Sequence, residues 1–326
     1  MMEMLPILRS ENQFIGDWDL NKMDIVSVDI PASRVRGLIT ATQSSAGVLK
    51  KFNVRLKDDD LYIKSGSSTG KLFNIRQPVT ERIASLIGRL IGLNVVEYKL
   101  WVIDRHLFEY IDNYNVPSRG NPESSDPPQI DHSTSFQKAL ALNDKVLVSV
   151  SKSFIPDESY TFISADQITN GVSNQQLHSF LCGMGSNIRE GINNMLLFDY
   201  LTNNTDRHRK NFGFLQRENQ ELEFAPLYDH GLSMFSEFSN DEIAEEGIQL
   251  LDFCEGKPFG DLGPSFAKYF DKELGKHRVN LNVSQEDLLL IIDSFEVLLG
   301  KERTALIRSV IGKRWEYVRQ KILSEI

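Results

Sequence analysis

Residues 203–231 read NNTDRHRKNFGFLQRENQELEFAPLYDHG. Asn203, Asn204 and Thr205 are poor helix continuers, so Asp206 is expected on a loop just past a helix end. Asn211 follows it in an Asp-x-x-x-x-Asn spacing. Residues 212–215 (FGFL) read as a short strand, 217–220 as a polar turn and 223–228 (EFAPLY) as a returning strand. Pro226 restricts the pairing of that second strand. The hairpin brings Asp229, followed by His230 and Gly231, back beside the Asp206 loop. Two carboxylates and one amide on adjacent loops are the set that phosphoryl transfer needs. One carboxylate takes or orients the hydroxyl proton of the nucleophile, and an amide and a second carboxylate hold Mg²⁺ against phosphate oxygens. A single loop aspartate more often just starts a turn; here helix end, Asp-x₄-Asn, hairpin and Asp-x-Gly occur together.

The same chemistry requires a lysine on the phosphates, steadied by a helix carboxylate. Lys64 ends the strand-like LYIK, and Glu81 lies in the first turns of the next helix. Lys50, Lys51 and Lys57 compete for the role from a charged run. Residues 42–47 (TQSSAG) would be the phosphate loop, with Ser44 and Ser45 as hydroxyl donors. They match neither G-x-G-x-x-G nor a Walker A sequence. His208 and His230 have no zinc-like spacing and no cysteine pair beside them, so His208 reads as a residue that holds its own loop. Arg207, Arg209 and Lys210 read as solvated charges, with one of them facing phosphate as the alternative.

The positioning elements divide the chain. Strand-like runs fall at 24–29, 47–56, 61–64, 95–103 and 145–150. A helix from Pro78 carries Ile83, Ile87, Leu90 and Ile91 at helical spacing, with Gly92 placed to cap it. Residues 111–137 hold four prolines and many Asp, Asn and Ser, and read as a long loop or insertion. Beyond it helices dominate: 186–203 with Ile188, Ile192, Met195 and Phe198, then 287–299 and 302–323. The expectation is an α+β, two-lobed protein-kinase-like fold with a cleft: a strand-rich N-lobe, residues 1–152, and a mostly helical C-lobe, residues 153–326.

Bulk properties agree. The 326 residues are 41% hydrophobic and 25% charged, enough for two lobes and ordinary for a globular chain. The net charge of −9 argues against a broad nucleic-acid surface. Neither a membrane-length apolar run nor a signal peptide is evident. Cys182 and Cys254 are the only cysteines, too few for a disulfide framework, so a cytoplasmic chain is expected, with secretion as an effector left open.

Residues 203–215 and 225–233 (APLYDHGLS), with Lys64, Glu81 and residues 92–95 (GLNV), resemble the HipA-like kinase family; DRHxxN is shared with phosphoinositide kinases. The resemblance implies ATP and Mg²⁺ as cofactors and a serine/threonine protein as acceptor. It makes Asp206 the catalytic base, Asn211 and Asp229 the Mg²⁺ ligands and Lys64 an ATP contact. It also implies a hinge for adenine along 146–154, with Val150 and Lys152 among its contacts. Family members are often toxins silenced by an antitoxin partner, and some phosphorylate a serine of their phosphate loop, which maps to Ser44 or Ser45. A lipid or small-molecule kinase with the same centre, and a nucleotide-binding pseudokinase, remain the competing readings.

Overall fold

Burial alternates strictly along Lys51–Leu56: Phe52, Val54 and Leu56 are buried, while Lys51, Asn53 and Arg55 are not. That period of two is a strand with one face on a core. In the computed structural model, which describes residues 14–15, 18–19, 24–39, 51–56, 59–69, 72–108, 134–218, 221–250 and 279–324, it lies in a six-stranded sheet. The first part of the chain runs β1 (Ile25–Ser27), β2 (Val35–Ile39), β3 (Lys51–Leu56), β4 (Asp59–Ser65), α1 (Arg76–Leu90), β5 (Tyr98–Asp104), α2 (Ser135–Leu142) and β6 (Lys145–Lys152). The strand order is β1-β5-β6-β4-β3-β2. All pairs are antiparallel except β1 with β5.

The sheet's two faces bury different clusters. Phe52, Ile63, Trp101, Val148 and Val150 pack with Phe73 and Phe108 on the outer face. Leu100, Val102 and Leu147 point the other way, onto α1 and into the core of the helical part. The buried stripe is Val79, Ile83 and Ile87 of α1 with Ile91 just past its end; Leu90, expected on the stripe, is exposed. The helix ends as Gly92 was expected to end it. Gly92 has φ +84°, Leu93 N–H donates to Gly88 O at 2.8 Å, and Gly92 N–H donates to Arg89 O at 3.1 Å. This paired bonding satisfies carbonyls that a helix end otherwise leaves open.

The second part runs β7 (Tyr160–Ser164), α3 (Ala165–Ile168), α4 (Asn174–Cys182), α5 (Ser186–Thr202), β8 (Gly213–Arg217), β9 (Glu223–Phe224), α6 (Asn240–Leu250), α7 (Gln285–Asp293), α8 (Glu296–Leu299) and α9 (Lys301–Ser324). Strand-rich first part and helix-rich second part together make the α+β, kinase-like architecture. The second part still carries a small antiparallel sheet, β7-β8-β9, whose first strand the sequence did not announce. α9 packs against α5, α6 and α7, and its fully buried Trp315 donates Nε1–H to Val283 O at 3.0 Å.

Three boundaries depart from expectation. The returning strand of the hairpin is only Glu223–Phe224, because Pro226 cannot donate to a ladder. The next residues instead make a parallel bridge, Leu227 to Val95, tying the hairpin to the turn after α1. The helix expected over 287–299 is broken between Asp293 and Glu296. Of the segment 111–137, Ser135 to Gln137 begin α2, capped when the Thr134 hydroxyl accepts from Gln137 N–H at 3.3 Å; its earlier part lies outside the described residues.

Candidate active site

α5 stops because Asn203 turns left-handed, at φ +53°. Asn204 then folds the chain back. Its N–H and side-chain N–H donate to Asp199 of α5, and its side-chain oxygen accepts from Asp206 N–H at 3.2 Å. Asn211 closes the loop, donating Nδ2–H to Asp206 O at 2.8 Å. His208 Nδ1 accepts from Lys210 N–H at 3.2 Å, which is the loop-holding task expected of it.

Arg207 overturns its expected role as a solvated charge. Its guanidinium is fully buried and donates to both oxygens of Asp199, at 2.7 and 2.9 Å, to Tyr228 O at 2.7 Å and to Asn211 O. It also meets His230 Nε2 at 3.0 Å. One side chain thus joins α5, the Asp206 loop and the Asp229 segment. Burial opposes its charge, but the Asp199 carboxylate outweighs burial and holds it above the usual arginine value. Arg209 is also engaged, donating to Thr169 O, Val172 O and Asn174 Oδ1 at 2.6–2.9 Å. Both arginines donate to carbonyls of irregular backbone, a demand that sequence spacing does not display.

Asp229 sits at φ +62° at the end of the hairpin. Its carboxylate pairs with Lys64, and Lys64 Nζ also donates to Glu81 Oε1 at 2.6 Å. Glu81 is fully buried, and its second oxygen accepts from His230 N–H at 2.9 Å. Gly231 packs closely here: a Cβ on it would come within 3.2 Å of Lys64 Nζ and 3.4 Å of Glu81 Oε1. Burial alone would lower the Lys64 ammonium, but Asp229 and then Glu81 outweigh it and hold it above the usual lysine value. Burial would raise the Asp229 carboxyl; Lys64 and then Lys51 hold it far below the usual range. Asp206 lies apart from this cluster, and burial first, then the Asp229 charge, push its carboxyl up against the pull of His208.

Lys51, one of the competing lysines, also reaches the site. It is the cross-strand partner of Lys64 and lies 3.4 Å from Asp229 Oδ2. Only pairing register could reveal this, since residues directly opposite on adjacent strands share a face. Val150 and Lys152 do not join the site. Val150 pairs with Ile63 and packs in the outer cluster, facing away from Lys64. Lys152 pairs with the exposed Asp59 at 2.7 Å. Ser149 and Ser151 take the Lys64 face instead. The continuous buried run of β6 concealed which alternate residues face the cleft. Ser44 and Ser45 lie outside the described residues.

The donor set suits Mg²⁺, a hard cation that keeps several waters and takes one or two protein oxygens plus phosphates. Asn211 commits its nitrogen to Asp206, which leaves its oxygen for a cation, and Asp229 would supply the carboxylate. Among the described residues no group of three or more His, Cys, Asp or Glu forms a dedicated metal cage. Nucleotide phosphates would complete the shell. Likewise, no helix among the described residues is long and apolar enough to cross a membrane.

The structure is similar to that of a Helicobacter pylori proinflammatory kinase, CtkA, with a TM-score of 0.60 over 89% of this chain and 95% of that one. Sequence identity between the two is 14%, so the likeness is one of fold. No protein of curated function matches the sequence. Residues 43–247 match the family model of the HipA-like C-terminal domain, a stretch that includes Lys64, Glu81, Asp206, Asn211 and Asp229. The chain belongs to the HipA-like C-terminal domain family.

Proposed function

We propose that this chain is an ATP- and Mg²⁺-dependent kinase that transfers the γ-phosphoryl group to a serine or threonine hydroxyl of a protein. The observation that carries this reading is the Lys64 ammonium shared between Glu81 and Asp229, with the Asp206–Asn211 loop beside it. Glu81 would hold Lys64 toward the phosphates. Asp206 would accept the acceptor's hydroxyl proton, and Asn211 and Asp229 would hold Mg²⁺. The bound cation would neutralise charge on the transferred group. Adenine would lie against the chain after β6, where Phe154 stacks on Tyr228 with ring centroids 5.4 Å apart. A protein acceptor and a regulatory protein partner are what the resemblance of residues 203–215 and 225–233 implies, with a lipid or small-molecule acceptor as the competing reading.

The test is transfer of radiolabelled phosphate from ATP to proteins of a cell lysate. Label on serine or threonine with the parent chain, absent with Asp206→Asn and Asp229→Ala, is the expected result. Nucleotide binding with no transfer to any protein would overturn it.

A further inference from the structure

Past Asp229, His230 and Gly231 the backbone makes an uncommon turn. Met234 and Phe235 are consecutive non-glycine residues with positive φ, +53° and +60°. L-residues keep left-handed backbone only where their surroundings impose it. Here they do. Gly231 O accepts from Thr80 Oγ1–H of α1 at 2.9 Å and from Ser236 Oγ–H at 2.6 Å. Met234 N–H donates to Thr202 O at 2.8 Å, and both left-handed side chains are buried.

The remaining hold comes from far along the chain. Arg303 of α9 is 1% exposed. Its guanidinium donates to Phe235 O and Phe238 O, each at 2.5 Å, and to Asn240 Oδ1 at 3.0 and 3.1 Å. Three donor nitrogens in a rigid fork thus fix two carbonyls of the turn and the Asn240 side chain at the start of α6, a task the single ammonium of lysine cannot do.

The turn in turn grips the Asp206 loop. Thr205 N–H donates to Leu232 O at 3.3 Å, and the Thr205 hydroxyl lies 2.6 Å from Glu237 Oε2 and 3.1 Å from Leu232 O. Thr205 immediately precedes Asp206. We propose that Arg303 is a positioning residue for Asp206: from the last helix it locks the turn 231–238, and the locked turn holds Thr205 and so sets the place of the carboxylate. The inference rests on Asp206 being the base.

Two ends of the relay can be cut separately. In Arg303→Met, amide hydrogen exchange at Thr205, Asp206 and Met234 should speed up by about tenfold or more, while exchange at Ile83 and Ile87 of α1 stays as in the parent. Transfer should fall about tenfold in kcat with nucleotide affinity unchanged, because a displaced base misplaces the reaction and not the nucleotide. Arg303→Lys should fall between parent and Arg303→Met. Thr205→Val should lower kcat similarly, and the double variant Arg303→Met with Thr205→Val should be no slower than the worse single. Multiplying losses in the double variant would overturn the relay. So would exchange that rises equally in α1 and the turn, which would mark Arg303 as general core support. Should Arg303→Met not fold, Arg303→Lys and Thr205→Val carry the same comparison. The exchange measurement needs no activity. A parent that transfers no phosphate would therefore end the kinase reading, and unchanged exchange at Thr205 would end this one.

Discussion

The Lys64 ammonium is bound by Asp229, 165 residues further along the chain, as well as by Glu81 of the neighbouring helix. The fully buried Glu81 and the partly buried Asp229, which also has Lys51 at 3.4 Å, therefore share this cation. Lys64→Met removes it and should destabilise the fold by ~3–5 kcal/mol, the usual cost of leaving buried charge unpaired. Mg²⁺ at Asp229 should recover part of the loss. Denaturation midpoints with and without millimolar Mg²⁺ check this: the cation should stabilise Lys64→Met more than the parent. Equal gains would place Mg²⁺ elsewhere.

Asp206→Asn keeps an acceptor and the shape of the loop, because the loop's shorter bonds use the Asp206 backbone and only a 3.5 Å contact from Asn211 uses its carboxylate. Nucleotide affinity should persist while transfer drops by ~10²-fold or more. In the parent, burial holds the Asp206 carboxyl above the ordinary aspartate value. The base must be ionised, so the acid limb of the kcat profile should lie above that ordinary value. A profile flat down to the ordinary range would contradict the assignment.

Arg207 and Asp199 form a fully buried pair. Arg207→Met alone and Asp199→Leu alone should each cost ~3–5 kcal/mol, since each strands a charge. The double variant should cost clearly less than both together. Urea denaturation of the four proteins measures the coupling, and strict additivity would show that the pair is not the unit.

His230 is buried against Phe198 and Arg207. Burial, and then the Arg207 charge, hold its pKa well below the ordinary histidine value. Folded His230 stays neutral where the unfolded chain binds a proton, so stability should be full above about pH 6.5 and fall as pH drops below it. His230→Gln should show a shallower loss of stability between about pH 7 and 5. The same slope in parent and variant would assign that acid sensitivity to other groups.

What the sequence determined by itself was mostly local. Gly92 as the cap of α1, the end of α5 at Asn203, the Asp206–Asn211 loop and the hairpin to Asp229 follow from backbone preferences and short spacings. Alternation along β3 likewise fixed which of its residues enter the core. Lys64 and Glu81 were legible as a pair because strand end and helix start are close in the chain. Tertiary structure decided the rest. Lys51 reached Asp229 through cross-strand register, and Val150 turned away from the cleft because strand faces alternate. Arg207 and Arg303 were read as solvent charge, or not singled out at all. Each is buried because folding brings it to backbone carbonyls of distant segments, to which its guanidinium donates. A guanidinium reads alike in any sequence; only the fold determines whether it faces water or a ring of carbonyl oxygens.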